Sequence, residues 1–523
     1  EDYWETFEVR DSDLEFIYNQ LLELETPQTT LELTRAIVQH RIENEKQILE
    51  KQQQAGGAFY LPKGEYQAGQ TLMFPALDWK KGTVTAVRPG SNPDLAEFDV
   101  IQVAMESGEK REFAARLENH PLNQPISMRA DDPALDVDQV MKDHGEEIEA
   151  CLTDALELNS DLVRIAGRWF PRALLVDVGI GYLNLAEAVL EMEGGGPMPT
   201  RSLLEQVDLP TDTNPKLTEF SFNLALQEDD RFDEVGPAGE VLWFLQRMEP
   251  ETVRDVPNLL RYKGNSIDTA SAREALQSLD MVVADELEPS VAGGSVEGDE
   301  IKLALIYPHW RAGTLPLSNK IIRFFPTAYE SPRVKFTFVD GDTGEKIDGW
   351  VIRQNRYAFG LRDWYLAKGL IPGSIVHIRR SKNPGEVIVQ VDKQRRATRE
   401  WIRTVLIGAD GGIVFAMLKQ MITAGFDERL ATAISDQAAL DSMWESGSKQ
   451  RGNLESTVMT MMRELGKLNP QGHVHAQELY AAVNIVRRCP PGPILTMLVE
   501  QPWSAHLGDL YFRYNSDQEE KHD

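Results

Sequence analysis

Residues 301–391 carry six β-rich runs with only one helix between them, and this constrains the fold more than any other feature of the chain. The runs are "IKLALIY", "KIIRFF", "RVKFTFVD", "GWVIRQ", "GSIVHIRR" and "EVIVQVD", with "DGDTGEK" and "SKNPGE" as turns. The helix falls at 361–368, inside "YAFGLRDWYLAKGLIPGSIVHIRR". With so little helix to cover a sheet, a closed barrel is the economical arrangement.

Charge sets the same region apart. Residues 301–403 hold 19 Lys and Arg against 9 Asp and Glu, in a chain whose net charge is −29. Residues 181–250 hold 4 basic and 14 acidic side chains. The overall charge taken alone argues against a protein coated by nucleic acid, but its division points to modules with different partners. Between them "MVVADELEPSVAGGSVEGDE", 281–300, has six acidic residues and no basic one, and reads as a flexible acidic linker.

A length of 523 residues exceeds one core, since domains run to about 100–200 residues. Nowhere do the roughly 18–20 apolar residues of a membrane helix occur in sequence, and "EDYWETFEVRDSDLEF" does not resemble a signal peptide. A soluble, cytoplasmic protein with no membrane partner is expected. Cys151 and Cys489, with no CxxC pair, exclude a disulfide framework and a cysteine-rich zinc site, and are expected as small buried hydrophobes.

The expected fold class is multidomain α+β. An N-terminal helical region, 1–56, includes a long helix opening on Thr29 and Glu32 at capping-box spacing. Residues 57–120 alternate strands at 71–74, 82–88 and 98–105 with Gly, Pro and Asn turns, as in a small SH3-like β-barrel. A helical connector, 121–180, follows. In 181–250 a helix at 183–192 stops at "EGGGPMP", a second spans 200–207, and Asn214-Pro215 opens a third ending near Gln227. "DRFDEV" and "EVLWFL" then flank Gly236-Pro237-Ala238-Gly239 as a hairpin, completing a winged helix-turn-helix. The acidic linker is placed at 251–300, the basic module at 301–395 and a C-terminal helical domain at 396–523. That last domain has Met417, Met421, Met459, Met461 and Met462 as core. In it "GHVHAQELYAAVNIV" repeats the spacing of "GYLNLAEAVL", and "LGDLYFRY" echoes "AGEVLWFL", so a second winged helix stands against coincidence.

Two resemblances bear on function. Leu185, Ala188, Val189, Leu190, Leu203, Leu204, Arg231-Phe232, Gly239 and Trp243 make 181–250 similar to the HARE-type helix-turn-helix of the delta subunit of bacterial RNA polymerase, also found in chromatin and restriction-modification proteins. Its third helix carries only Lys216 as a cation, and its wing adds Asp229, Asp230, Asp233 and Glu234. A protein partner, RNA polymerase or another, is implied rather than DNA, with a purely architectural role as the other reading.

Tyr357, Phe359, Gly360 to Trp364, Gly369-Leu370 and Pro372-Gly373 make 301–395 resemble the B-three DNA-binding pseudobarrel of plant transcription factors, whose fold is shared with the recognition domain of some restriction enzymes. Ser374 stands where that family usually has Asp. The resemblance implies two loops acting as arms in the major groove of duplex DNA, here Arg311 to Lys320 and Arg353 to Arg356. Arg353, Asn355 and Arg356 then suit base edges, while Arg311, Lys320, Arg323, Arg333, Lys335, Arg379, Arg380 and Lys382 would serve phosphate. A solvated or linker-neutralising basic face is the competing reading.

No nucleophile elbow, phosphate loop, HExxH or nuclease carboxylate cluster is present, and His473 and His475 lack a third ligand, so neither enzyme activity, metal nor cofactor is expected. The chain therefore reads as a DNA-associated transcription regulator or RNA-polymerase-associated factor. An accessory or specificity component of a restriction or defence system, and a protein scaffold without DNA, are the alternatives.

Overall fold

The computed structural model describes residues 3–54, 58–74, 80–91, 98–106, 108–117, 135–209, 214–264, 269–280, 283–288, 298–408, 411–446 and 453–515, with Leu77, His120 and Asn123 between; the side chains of 48–54, 58–59 and 393–397 are outside the description. The fold is mixed α+β, in two compact units: 1–164 with 168–175, and 165–167 with 176–523. Among the described residues no helix is long and apolar enough to cross a membrane.

One order of elements occurs three times. A helix leads into a short strand and a second helix, then comes a third helix and a two-stranded hairpin. The short strand always pairs with the second hairpin strand, which lies in the middle of a three-stranded sheet. In the first unit these elements are Asp11–Leu24, Gln28–Thr29, Thr30–Gln54, Val137–Glu157, Leu162–Ile165 and Arg168–Pro171. Between its second and third helices lies a five-stranded sheet over Leu72, Phe74, Val84, Ile101 and Val103. The expected connector 121–180 thus contains a hairpin besides its helix; 121–122 and 124–134 fall outside the described residues.

The second occurrence is Ile180–Met192, Met198–Pro199, Thr200–Val207, Pro215–Gln227, Phe232–Glu234 and Leu242–Leu245. The third is Leu454–Gly466, His473–His475, Ala476–Val486, Pro491–Glu500, Ser504–Gly508 and Tyr511–Tyr514. A buried hydrogen bond braces the first two. Trp169 Nε1 donates to Thr30 Oγ1 at 3.0 Å, and Trp243 Nε1 to Thr200 Oγ1 at 3.1 Å, from the middle strand to the start of the second helix. At the same places the third has Phe512 and Ala476, both buried: donor and acceptor are replaced together, which leaves no orphaned polar group.

The basic module is a curled seven-stranded sheet. Its strands are β1 (Glu300–Ala304), β2 (Thr314–Pro316), β3 (Arg333–Asp340), β4 (Lys346–Ile352), β5 (Tyr357–Phe359), β6 (Ile375–Arg380) and β7 (Glu386–Val391), in the order β1-β6-β7-β3-β4-β5-β2. Only β3 and β7 run parallel, and the edge strands β1 and β2 do not pair, so hydrogen bonding does not close the barrel. Two expected strands differ. "IKLALIY" stops at Ala304 and turns into helix α1 (Tyr307–Ala312), with Pro308 in its first turn and Gly313 at φ 70 ending it. "KIIRFF" forms a 3-10 turn at Ile322–Phe324, in which Phe324 N donates to Ile321 O at 3.0 Å and Phe325 N to Ile322 O at 3.1 Å. Helix α2 (Arg362–Ala367) buries Trp364 and Tyr365 in the sheet's core, and Trp364 Nε1 donates to Asp340 Oδ2 at 3.0 Å. Gly360 makes the turn into α2: its φ is 134, and a Cβ there would lie 2.2 Å from the Asp348 carbonyl oxygen.

The expectation of helices over 401–466 holds for Gln437–Glu445 and Leu454–Gly466 and is corrected for the residues before Gly425. Lys393–Ile407 and Ile413–Ala424 pair antiparallel as a long hairpin around a Gly-rich turn. Met417 and Met421 are exposed on it, whereas Met461 and Met462 are core. Both cysteines are free, with Cys489 buried and Cys151 partly so.

The segment expected as an acidic linker, 251–300, is corrected as well. It includes helices Glu251–Arg254 and Arg273–Asp280, and Leu276, Leu279 and Val283 join the core of the C-terminal helices. Residues 281–282 and 289–297 lie outside the described residues. Asp285 and Glu286 are buried around Arg488, whose side chain is 0% exposed. Arg488 Nη2 lies 2.6 Å from Asp285 Oδ1 and 2.9 Å from Glu286 Oε1. Glu286 Oε2 bonds His309 Nε2 at 2.9 Å, and Tyr480 Oη donates to Asp285 at 2.5 Å. Burial alone would raise the Glu286 carboxyl, but Arg488 and His309 hold it below the usual range. Its stabilisation is therefore present above the unfolded value near 4.5 and lost as pH falls through the lower folded value. Arg488→Met, which strands two buried carboxylates, is expected to cost about 3–5 kcal/mol in urea unfolding at pH 7. That cost should shrink when the titration is repeated in acid.

Candidate nucleic-acid interface

Of the first expected arm, 311–320, the residues to Pro316 lie in or between α1 and β2, and only 317–320 meets the second arm, 353–356, at one rim of the seven-stranded sheet. Leu317 N donates to Arg356 O at 2.8 Å, and the Arg356 guanidinium bonds Asn319 Oδ1. Arg353 Nη1 donates to Ser331 O at 2.8 Å, which steadies the second loop against the start of β3. Arg356 sits at φ 54, a left-handed conformation that costs a non-glycine residue about 1–3 kcal/mol and persists only where the surroundings impose it. The β6–β7 turn reaches the same rim. Arg380 Nη2 donates to Arg323 O at 3.0 Å, and both guanidinium groups lie against the Phe324 ring, at 5.9 and 4.8 Å.

Lys320, Arg323, Arg353, Asn355, Arg356, Arg380 and Lys382 are thus gathered along these three loops, with Asn355, Arg380 and Lys382 exposed. Arg379 is held along the neighbouring strand by Gln390 Oε1 at 2.7 Å. Asn319, which ties the arms together, was not singled out by sequence: an asparagine in a turn carries no signal that separates a brace from a loop residue.

Three expected phosphate contacts are engaged elsewhere. Arg311 belongs to α1 and grips Asp441 through two bonds of 2.8 and 2.6 Å, which raise the guanidinium and lower the carboxyl from their ordinary values. Arg333 is paired with Asp233 and, at 3.2 Å, with Glu249. Lys335 lies 3.2 Å from Asp348 and 5.2 Å from the centre of the Trp350 ring.

Arg333 and Lys335 mark a docking surface instead. The hairpin of the second repeat lies on β3 and β4: Lys335 N donates to Val235 O at 2.9 Å, Phe244 meets Trp350 edge-on at 5.2 Å, and Ser331 Oγ donates to Glu234. The acidic residues Asp233 and Glu234 are therefore spent within the chain, and Asp229 is held by Arg231 at 2.6 Å. His475 likewise has an internal task, accepting from Gln477 N at 3.2 Å to cap the helix that follows. Burial pushes its pKa down to about 4, the neutral form this role needs.

Comparison of the chain with protein-family models, with curated proteins and with solved structures returns no match.

The docking surface titrates. Burial pushes the Glu234 carboxyl up to about 8, and burial together with Asp233 raises Glu249. A raised folded value means stabilisation fully present below about 4.5 and lost as pH climbs through about 8. Thermal melts of the native chain should fall between about pH 4.5 and 8 and level off above. Glu234→Gln, uncharged throughout, should flatten that decline, and an unchanged slope would count against titration at Glu234.

Proposed function

We propose that this chain binds duplex DNA through the rim formed by residues 317–325, 353–356 and 379–382, as a DNA-associated regulatory factor. The observation that carries the reading is the convergence of two arm loops bearing Lys320, Arg323, Arg353, Asn355 and Arg356, while other cations of the module are neutralised by Asp441, Asp233, Glu249 and Asp348. In a chain of net charge −29, a cluster of cations kept at one rim suits phosphate, and arginine and asparagine beside it suit base edges. The seven-stranded sheet with its Trp364 helix supports the B-three-like reading of 301–395, and the three repeated helix and hairpin units support winged-helix readings.

Those units serve architecture in this proposal. In the second repeat, Thr218, Phe220, Ser221, Phe222, Asn223 and Leu226 of the third helix are buried, and in the third repeat Pro491 to Thr496 are. Neither helix presents a free face of the kind a major groove requires. Pairing of Asp233 and Glu234 within the chain weakens the argument for RNA polymerase as the partner of this hairpin. A scaffold acting on protein alone draws on the same buried helices and is the second reading.

Fluorescence anisotropy of the full chain on random duplex DNA across a salt series separates the two. Arg380→Ala/Lys382→Ala should weaken binding and reduce the slope of log affinity against log salt by roughly 2, about 0.9 per phosphate contact, whereas Arg353→Ala/Arg356→Ala should weaken binding through lost groove contacts. Arg311→Ala, whose partner is Asp441, should leave that slope unchanged. Absence of binding at low salt would leave the scaffold reading in place.

A further inference from the structure

We propose that a second, unrelated site binds a small phosphate-bearing ligand with a planar body, the chemical class of a nucleoside monophosphate, in a cavity of about 300 Å³ between the 258–264 loop and the start of the segment after Ala476–Val486. Its walls bring together Arg261, Lys263, Arg487 and Arg488, with Tyr262 and Trp444. Glu445 is the one carboxylate among the described residues that line it.

The charge balance is the anomaly. Acidic side chains outnumber basic ones by 83 to 54 in this chain, so a cation finds a carboxylate easily. Arg311, Arg333 and Arg488 each do. Among the described residues Arg261 and Arg487 instead bond only neutral oxygens, Nε to Val256 O at 2.8 Å and Nη1 to Thr457 Oγ1 at 3.4 Å. Lys263 has no ion-pair partner among the described residues. Three cations from two separate segments are thereby held at one concavity without neutralisation, an arrangement that repels itself unless an anion enters.

A second observation comes from behind the wall. Arg488 is fully buried and neutralised by Asp285 and Glu286, yet its Nε–H has no hydrogen-bond partner. Phosphate oxygens are the acceptors that guanidinium groups match in pairs, and Arg261 and Arg487 are the accessible guanidinium groups at this wall, with Arg488 fully buried behind it. The cavity lies at the small end of the range for ligand pockets, about 300–1,000 Å³. That size excludes a folded partner and suits a single small molecule. Tyr262 and Trp444 supply ring surface beside the cations, which favours a flat body on the anion.

Isothermal titration of the full chain at fixed ionic strength, with adenosine 5′-monophosphate, inorganic phosphate and adenosine as probes, tests this. Saturable binding is expected for the monophosphate, weaker binding for phosphate and the weakest for adenosine. Arg261→Gln/Lys263→Gln removes two exposed cations and should lower monophosphate affinity by roughly tenfold or more. Arg487→Gln should do the same from the other segment. Saturation by neither phosphate-bearing probe would overturn the proposal, as would equal affinity in both variants or adenosine binding as tightly as its monophosphate. The Arg261→Gln/Lys263→Gln chain should keep its duplex-DNA affinity, so failure here and failure of the DNA reading are separate results.

Discussion

Arg488 stands at the centre of the larger unit, and a buried guanidinium leaves few options to the segments around it. An isolated charge in a core costs several kcal/mol even after relaxation, so carboxylates must be delivered to it. Asp285 and Glu286 arrive from a segment about two hundred positions earlier, and Glu286 must itself be met by His309 at the start of the seven-stranded sheet. Helix α1 is thereby pinned through His309, with Thr314 bonded to the other ring nitrogen at 2.8 Å. Tyr480 and Asn484 close the cluster from the C-terminal helices. The sheet, the 283–288 segment and the C-terminal repeat are joined through groups that are each costly to leave unpaired.

The distribution of charge follows from the same logic. Most of the sheet's conspicuous cations turn inward to structural carboxylates: Arg311 to Asp441, Arg333 to Asp233 and Glu249, Lys368 to Asp340. Among the described residues, cations bonded to neutral oxygens include Arg353 and Arg356 at the arm rim and Arg261 and Arg487 at the small cavity. These two places differ in build. The rim is built from loops, which suits a long polyanion, whereas the cavity of about 300 Å³ suits a small one.

Local grammar was readable where a few consecutive residues decide the outcome. Thr29 and Glu32 form their reciprocal cap, with Thr29 N to Glu32 at 2.7 Å and Glu32 N to Thr29 at 3.2 Å. Thr200–Val207 is a helix over the expected span, and Asn214 accepts from Lys216 N at 3.0 Å ahead of Pro215. The Met-rich stretch is ambiguous in sequence because methionine suits either element, and only the glycines at 408, 411 and 412 signal the hairpin. In 281–300 composition suggested solvent, yet one arginine some two hundred residues away turned two of its carboxylates into core.

Sequence by itself determined the mixed α and β composition, most strands of the basic sheet, the caps and turns of the second repeat and the segregation of charge. Each depends on periodicity or on contacts a few residues apart. Tertiary structure alone decided which cations stay free, that Asp285 and Glu286 are buried, that the acidic hairpin docks on β3 and β4, and that the first repeat is split by a five-stranded sheet. The reason is physical: a side chain's charge is written in the sequence, but its partner is chosen by distance in space, and a single opposite charge at about 3 Å outweighs the composition of everything further along the chain.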